Sequence, residues 1–209
     1  MNYSYKGGGY TKIDNLLNPY WIKLAEPIPE YITPNMITLS GLLCSFSGIL
    51  VLLLTGNNPQ EERPAWVYLY LSLVVFLYQT IDALDGKQGV KLKVKRIHEW
   101  EFDHHCDAIS LSFMTFFVLH FIFIKPHTVM LIIILALNYS GFFISSFVDF
   151  YTGSYATNSN EIGVTELQLS LMLLGVIAAV FGKSLWEISL FGLQLNTMFL
   201  ITQIVLCIY

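Results

Sequence analysis

The sequence predicts an all-α polytopic membrane protein. Of its 209 residues, 55% are hydrophobic and only 12% are charged, a balance that soluble domains of this length do not have. Long apolar runs follow one another, and a run of about 20 residues is what a helix needs to cross a bilayer. Backbone groups inside lipid must form their hydrogen bonds within their own segment, so we expect these runs to be helices. The net charge of −4 gives no reason to expect a nucleic-acid partner.

Six segments are predicted to span the membrane, and charged residues are nearly absent from them. They are residues 36–54, 65–83, 106–124, 128–148, 164–182 and 186–209. We therefore expect two regions along the chain. Residues 1–35 form an N-terminal tail with an amphipathic helix, and residues 36–209 form a six-helix transmembrane domain.

The segment before the first predicted span has one apolar face. Its large apolar side chains recur at helical spacing, and they are Ile13, Leu16, Leu17, Tyr20, Trp21 and Leu24. Asp14, Lys23 and Glu26 lie off this stripe. The pattern is typical of a helix lying in the membrane interface, with its aromatic rings at headgroup level. A helix packed on the surface of the domain fits the pattern equally well.

Basic residues are distributed unevenly between the two predicted sides of the membrane. One side carries Lys6, Lys12, Lys23, Lys87, Lys91, Lys93, Lys95 and Arg96, and the other carries Arg63, Lys125 and Lys183. Loops rich in lysine and arginine stay on the cytoplasmic side. The N-terminus is therefore predicted to face the cytoplasm, or the matrix if the membrane is the inner one of an organelle.

Four aspartates stand where the second and third predicted spans meet their shared loop. Asp82 and Asp85 are three residues apart, and Asp103 and Asp107 are four apart, so each pair lies on one helical face. Antiparallel packing of the two helices would bring all four together. Hard oxygen ligands grouped in this way suit Mg²⁺, Mn²⁺ or Ca²⁺. Gly86 would let the backbone approach a phosphate closely.

A simpler interpretation is that each aspartate caps a helix end and pairs with a lysine of the loop. For a single aspartate this interpretation would be favoured. Two spaced pairs flanking one loop favour a functional site, because carboxylates at a membrane edge are costly and usually functional. His104 and His105 fit equally well as polar neighbours of such a site or as ligands and proton carriers.

Residues 82–107, DALDGKQGVKLKVKRIHEWEFDHHCD, resemble the signature of the CDP-alcohol phosphotransferases, D-x2-D-G-x2-A-R-x8-G-x3-D-x3-D. The four aspartates and Gly86 match it with the right spacing. Residues 78–88 and 102–107 are similar to the choline/ethanolamine phosphotransferase branch, as are the short stretches NPYW, PNMITLSG and YTG. The resemblance covers about residues 5–170.

The resemblance implies a six-helix bundle of this family's type, with a cavity open to the cytoplasm and to the bilayer. Asp82, Asp85 and Asp103 are then expected to hold two Mg²⁺ or Mn²⁺ ions on the diphosphate of CDP-choline or CDP-ethanolamine. Asp107 completes the acidic metal site and takes the proton from the hydroxyl of diacylglycerol, whose oxygen attacks the β-phosphate while CMP leaves. The residues expected to contact substrate are Asn35, Gly86, Lys87, Gly89 and Lys91, and Thr38 lines the cavity beside Asn35.

Three positions depart from the signature: Gly89 replaces alanine, Val90 replaces arginine and Glu99 replaces glycine. Val90 cannot offer a guanidinium to a phosphate or to the carboxylates. Glu99 adds bulk and a negative charge near an anionic site, a repulsion on the order of a few kcal/mol. The chain also ends at the sixth predicted span, whereas the longer eukaryotic enzymes carry further helices. Impaired activity is therefore expected.

Two alternatives stay open beside the impaired enzyme. One is a catalytically inactive member of the family that serves as a structural or accessory subunit of a larger membrane complex, with no cofactor. The other is a module that binds lipid or nucleotide without turnover. An active enzyme is expected in the endoplasmic reticulum or Golgi, among membrane lipids. An accessory subunit is also compatible with the mitochondrial inner membrane.

Overall fold

The computed structural model describes residues 6–7, 10–93, 97–152, 154–155 and 163–208. This part of the chain consists mainly of helices. They are α1 (Lys12–Ala25), α2 (Pro34–Thr55), α3 (Ala65–Lys91), α4 (Ile97–Phe121), α5 (Thr128–Thr152), α6 (Val164–Phe181) and α7 (Leu195–Ile208). The short strands β1 (Lys6–Gly7) and β2 (Ser154–Tyr155) pair in parallel, and β3 (Ser189–Leu190) and β4 (Leu193–Gln194) form an antiparallel hairpin.

Three of these helices, α2, α3 and α6, are long and apolar enough to cross a membrane, and α5 contains a shorter apolar stretch at Thr128–Gly141. Pro34 begins α2, because a proline at the first helical position has no N–H that the helix could use. Gly56 ends α2 with a φ of 117°, which lies outside the helical region. Because three of its helices can cross a membrane, the chain is an integral membrane protein built from helices. The total of six spans remains a prediction.

The helices that carry the aspartates extend further than the predicted spans. Helix α3 continues to Lys91, and α4 begins at Ile97. Hydropathy marks only the apolar part of such a helix, whereas alanine, leucine, lysine and glutamine are good helix formers and continue it. As a result, all four aspartates lie inside helices, and their side chains are held by regular backbone on both sides.

The last predicted span, residues 186–209, is helical only from Leu195. The hairpin of β3 and β4 takes up its first part. Phe191 and Gly192 form the turn of this hairpin, with φ values of 54° and 82°. Such left-handed positions interrupt a helix, so the prediction of a continuous helix over residues 186–209 was wrong for its first part.

The core lies between α2, α3, α4 and α6, with α3 at the centre. Its largest fully buried side chains include Tyr68, Leu71, Phe117, Phe121 and Ile122. Tyr68 packs its ring against Phe121 at a centroid distance of 6.4 Å. Aromatic rings of this size fill the space between helices and fix their relative rotation.

Two glycines allow the helices of the core to approach closely. A Cβ atom on Gly175 of α6 would lie 2.2 Å from Ser72 Oγ and 2.7 Å from Phe121 Cζ. A Cβ atom on Gly48 of α2 would lie 2.4 Å from Phe117 Cζ. Small residues at helix contacts are the usual means of close packing in membranes. These two positions therefore set the distance of α2 and α6 from the helices that carry the aspartates.

Helix α1 packs on the domain by one face and exposes the other. It begins with a capping box in which Asp14 N donates to Thr11 Oγ1 (3.1 Å) and Thr11 N donates to Asp14 Oδ2 (3.0 Å). Of the predicted apolar stripe, Trp21 is buried, whereas Leu16 is 77% exposed and Tyr20 is 41% exposed. The exposed row suits a helix at the bilayer surface, and its position in the interface stays a prediction.

We predict that Gly175→Ala destabilises the fold by about 1–3 kcal/mol, because the added methyl group forces α6 away from α3 and α4. Gly141→Ala is the matched control, since a Cβ atom on Gly141 of α5 meets nothing within 4 Å. The control should change stability by no more than about 1 kcal/mol. Thermal unfolding of both variants in detergent measures this difference, and equal midpoints for the two would contradict the close packing of α6.

Candidate active site

Three aspartate side chains from two helices form one cluster. Asp82 and Asp85 of α3 and Asp103 of α4 each offer a carboxylate oxygen, and these oxygens all lie within 4.8 Å of one another. Asp85 is buried, and the other two are half-buried. Asp103 Oδ1 is buried without a hydrogen-bond partner. Like charges at this distance repel, so the cluster requires cations or protons for its stability.

These residues fit a divalent metal ion of the Mg²⁺ or Mn²⁺ type. All donors are hard carboxylate oxygens, which such ions prefer over softer ligands. The buried oxygen of Asp103 has no partner within the protein, and a buried polar atom of this kind requires an explanation. A cation held between the three carboxylates supplies that explanation.

Two hydroxyl groups donate hydrogen bonds to carboxyl groups of the site. Thr38 Oγ1 of α2 donates to Asp85 Oδ2 at 2.6 Å, and it also lies 3.2 Å from the carbonyl oxygen of Pro34. Tyr78 OH of α3 donates to Asp107 Oδ1 at 2.5 Å. Hydrogen bonds to ionised acceptors are short and strong. Asp85 and Asp107 are therefore each held by a hydroxyl group in addition to their acidic neighbours.

A cavity of about 740 Å³ opens beside the cluster. Its polar end is lined by residues including Asp82, Asp85, Gly86, Asp103, His104 and Asp107. The rest of its wall is largely apolar, with Leu111, Met114, Val118, Leu137, Leu171 and Leu174 among the lining residues. Such a cavity has room for a charged headgroup at one end and a hydrocarbon chain at the other.

Lys87, a predicted substrate contact, is directed towards α1. Its Nζ atom donates to Asn18 Oδ1 at 2.6 Å and lies 5.9 Å from the ring centre of Tyr10 and 5.8 Å from that of Trp21. Both rings are close enough for cation–π attraction. The ammonium group thus holds α1 against the end of α3.

Lys91, the second predicted lysine, makes a similar attachment. Its Nζ atom donates to the carbonyl oxygens of Glu26 (2.9 Å) and Ile28 (2.7 Å), at the end of α1. Gln88, which lies between the two lysines, donates to the carbonyl oxygens of Pro29 (3.0 Å) and Ile32 (2.8 Å). None of the lysine or arginine side chains in the described part of the chain lines the cavity.

The predicted glycines and Asn35 have different surroundings. Gly86 lines the cavity, and a Cβ atom there would meet nothing within 4 Å. Gly89 is buried instead, and a Cβ atom there would lie 3.6 Å from Pro34 Cγ, an ordinary contact that leaves room for alanine. Asn35 Oδ1 is buried without a hydrogen-bond partner, and Asn35 is not among the described residues that line the cavity.

Of the three departures from the signature, Gly89 has been described above, and Val90 and Glu99 remain. Val90 is 63% exposed and lies one turn beyond Gly86, on the same side of α3. The side chain of Glu99 lies outside the described residues, although its backbone belongs to α4.

The structure places two residues at the site, His104 and Tyr78, that were not assigned to it from the sequence. His104 lines the same cavity as Asp107. From the sequence it fitted equally well as a polar neighbour of the site or as a ligand or proton carrier. Tyr78 was not identified as a site residue from the sequence. The available signal was its position one turn before Asp82, on the face of α3 that carries the aspartate.

Comparison with known proteins shows what this chain is similar to. No family model matches the chain. Cholinephosphotransferase 1 of Gallus gallus is 30% identical over 203 residues, which cover 92% of this chain and 57% of the relative. Cholinephosphotransferase 1 of Homo sapiens is 31% identical over 192 residues, which cover 88% of this chain and 45% of the relative.

A third relative is an uncharacterized CDP-alcohol phosphatidyltransferase class-I family protein 2 of Dictyostelium discoideum. It is 30% identical over 186 residues, which cover 88% of this chain and 45% of the relative. The chain is thus similar to cholinephosphotransferases and to a CDP-alcohol phosphatidyltransferase class-I family protein. The resemblance predicted from the spacing of the aspartates is thereby confirmed. The chain spans about half the length of the curated relatives it matches.

We predict that Asp85→Asn lowers the affinity for Mn²⁺ by about tenfold or more, because it removes one charged donor of the cluster. Glu187→Gln removes one carboxylate as well, but that carboxylate pairs with Lys183 at 3.2 Å on the surface. It should bind Mn²⁺ as the unaltered protein does. Titration of purified protein with Mn²⁺, followed by electron paramagnetic resonance, measures both affinities, and equal binding by the two variants would exclude Asp85 as a ligand.

Proposed function

We propose that this chain transfers phosphocholine or phosphoethanolamine from a CDP-alcohol to diacylglycerol and releases CMP, with turnover lowered by Val90 and Glu99. The carboxylate cluster at the polar end of a largely apolar cavity carries this proposal. One end suits a diphosphate with its cations, and the other suits the acyl chains of a lipid alcohol. The cholinephosphotransferase relatives support the same reaction.

The metal ligands proposed are Asp82, Asp85 and Asp103, joined by Asp107 at the edge of the cluster. Mg²⁺ or Mn²⁺ bound there neutralises diphosphate charge when present. Gly86 exposes its backbone to the cavity without a side chain, which leaves room for a phosphate. Asn35 is proposed to bind substrate through its unpaired Oδ1 atom.

Asp107 is proposed as the general base. It lines the cavity, and its Oδ1 atom is held by Tyr78. Its carboxylate accepts the proton of the lipid hydroxyl while that oxygen forms a bond to the β-phosphorus of the CDP-alcohol. The bond between the β-phosphorus and the oxygen bridging to the α-phosphate breaks, and its electron pair leaves with CMP. His104 lines the same cavity and is a second group that can hold a proton near neutral pH.

Lys87, Gly89 and Lys91 have a supporting role in this proposal. The two lysines fasten α1 to the cytoplasmic end of α3, and Gly89 lies in the contact between α3 and the start of α2. Their effect on the substrate is therefore exerted through the position of Gly86 and Asp85. A direct contact of either lysine with the substrate would require it to leave its partners on α1.

The proposed setting is the endoplasmic reticulum or Golgi membrane, with the N-terminus on the cytoplasmic side. The distribution of lysine and arginine supports this orientation. The partners are membrane lipids, CDP-choline or CDP-ethanolamine, and diacylglycerol. Their chemistry follows from the proposed reaction.

We predict that purified protein in liposomes with Mg²⁺, CDP-choline or CDP-ethanolamine, and diacylglycerol releases CMP. Asp107→Asn should lower this rate by about 10²–10⁴, the usual contribution of a general base. Detection of CMP by chromatography measures both rates. Release of CMP at equal rates by the two proteins, or by neither, would contradict the proposed reaction.

Restoring the family residue at position 90 should raise the rate. We predict that Val90→Arg increases kcat/KM for the CDP-alcohol by about tenfold, because a guanidinium can bind the phosphates in a bidentate manner. Val90→Met is the control, since it adds length without charge. Equal rates for Arg and Met at this position would show that Val90 does not limit turnover.

A second candidate function is that of an accessory subunit in a larger membrane complex, in the mitochondrial inner membrane or elsewhere. It is favoured by a row of exposed aromatic side chains on α5, where Phe143 is 69%, Phe147 52% and Tyr151 70% exposed. Neighbouring rings of this row are 6.1 Å and 4.7 Å apart. Native electrophoresis of membranes solubilised in mild detergent separates the two functions, because an accessory subunit migrates with its complex.

A further inference from the structure

We infer that Tyr78 is a positioning residue that fixes the carboxyl group of Asp107 for proton transfer, an inference that rests on the proposed function. Tyr78 lies in α3 one turn before Asp82, and its hydroxyl group donates to Asp107 Oδ1 at 2.5 Å. This hydrogen bond joins α3 to α4, 29 residues apart in sequence. It is a direct link between the core and the proposed base.

The ring of Tyr78 is itself held firmly. Only 6% of the residue is exposed, and it belongs to the main hydrophobic core. A Cβ atom on Gly41 of α2 would lie 3.6 Å from Tyr78 Cδ2, so the ring packs directly beside the backbone of α2. A phenol fixed in this way offers its O–H from one direction only. That direction sets the rotation of the Asp107 carboxyl group.

Asp107 needs such a restraint because it lies beside other acids. Asp82 is its neighbour across the helix contact, and Asp82, Asp85, Asp103 and Asp107 line the same cavity. Repulsion between carboxylates would turn Asp107 away from the others. With Oδ1 held by Tyr78, Oδ2 is the oxygen that can receive a proton from the lipid hydroxyl.

Tyr78 contacts the outermost of the four proposed metal ligands. The close group of carboxylate oxygens contains Asp82, Asp85 and Asp103, and Asp107 lies outside it. Tyr78 therefore acts on the residue at the edge of the cluster, whereas Thr38 acts on Asp85 within it. Loss of the Tyr78 hydroxyl should impair turnover and leave cation affinity unchanged.

Tyr78→Phe removes this hydroxyl group and nothing else. The matched control is Tyr70→Phe, on the same helix, where the tyrosine hydroxyl lies 2.9 Å from Ser47 Oγ and does not line the cavity. Both variants lose one hydrogen bond between helices. A merely structural role of the hydroxyl predicts similar effects for the two.

The test compares wild type and both variants in liposomes with CDP-choline, diacylglycerol and Mg²⁺. Tyr78→Phe should lower kcat by about ten- to a hundredfold, with KM for CDP-choline and Mn²⁺ affinity changed by less than about twofold. Tyr70→Phe should leave kcat within about twofold of wild type. Unchanged kcat in Tyr78→Phe, or a loss of Mn²⁺ affinity as large as the loss of kcat, would overturn the inference.

A second measurement tests the inference without an activity assay. Structures of the wild type and of Tyr78→Phe, determined by electron cryomicroscopy, should show the Asp107 carboxyl group turned to a different rotamer in the variant. An unchanged orientation of Asp107 would overturn the positioning role. If wild type releases no CMP, the proposed reaction fails, and these two structures still show whether Tyr78 orients Asp107.

Discussion

Mutual repulsion of carboxylates at the contact of α3 and α4 is the constraint on which the site depends. Oxygens of Asp82, Asp85 and Asp103 lie within 4.8 Å of one another, beside an apolar cavity. Charges that are close and partly withdrawn from water repel strongly, so the arrangement is stable only with compensating partners. Thr38 and Tyr78 supply hydrogen bonds to two of the four acids. Protons or the proposed divalent cation would supply the remaining compensation.

The rest of the fold holds the two acidic helices at this distance. Gly48 and Gly175 let α2 and α6 approach Phe117 and Phe121 of α4. At the C-terminal end of α3, hydrogen bonds of Lys87, Gln88 and Lys91 attach this helix to α1 and to the segment that follows α1. Packing at one end and hydrogen bonds at the other thus fix the helix that carries Asp82 and Asp85.

The sequence predicted the location of the site better than the direction of its side chains. Spacing placed Asp82 and Asp85 on one helical face, and the expected antiparallel packing of two consecutive helices brought Asp103 to them. It could not show that Lys87 points to α1, since the attachment depends on Asn18, Tyr10 and Trp21, which are distant in the chain. Tyr78 was missed because its partner, Asp107, lies 29 residues away in the sequence. The hairpin before Leu195 was missed because hydropathy does not report the left-handed turn at Phe191 and Gly192.

A structure with Mn²⁺ and CDP-choline bound tests the central claim most directly, because it locates the cation and the diphosphate at once. The account predicts Mn²⁺ between Asp82, Asp85 and Asp103, with the diphosphate beside Gly86 and the Oδ2 atom of Asp107 facing the apolar part of the cavity. Crystallographic anomalous scattering identifies the metal unambiguously. Mn²⁺ bound elsewhere, or a nucleotide that does not enter the cavity, would contradict the account.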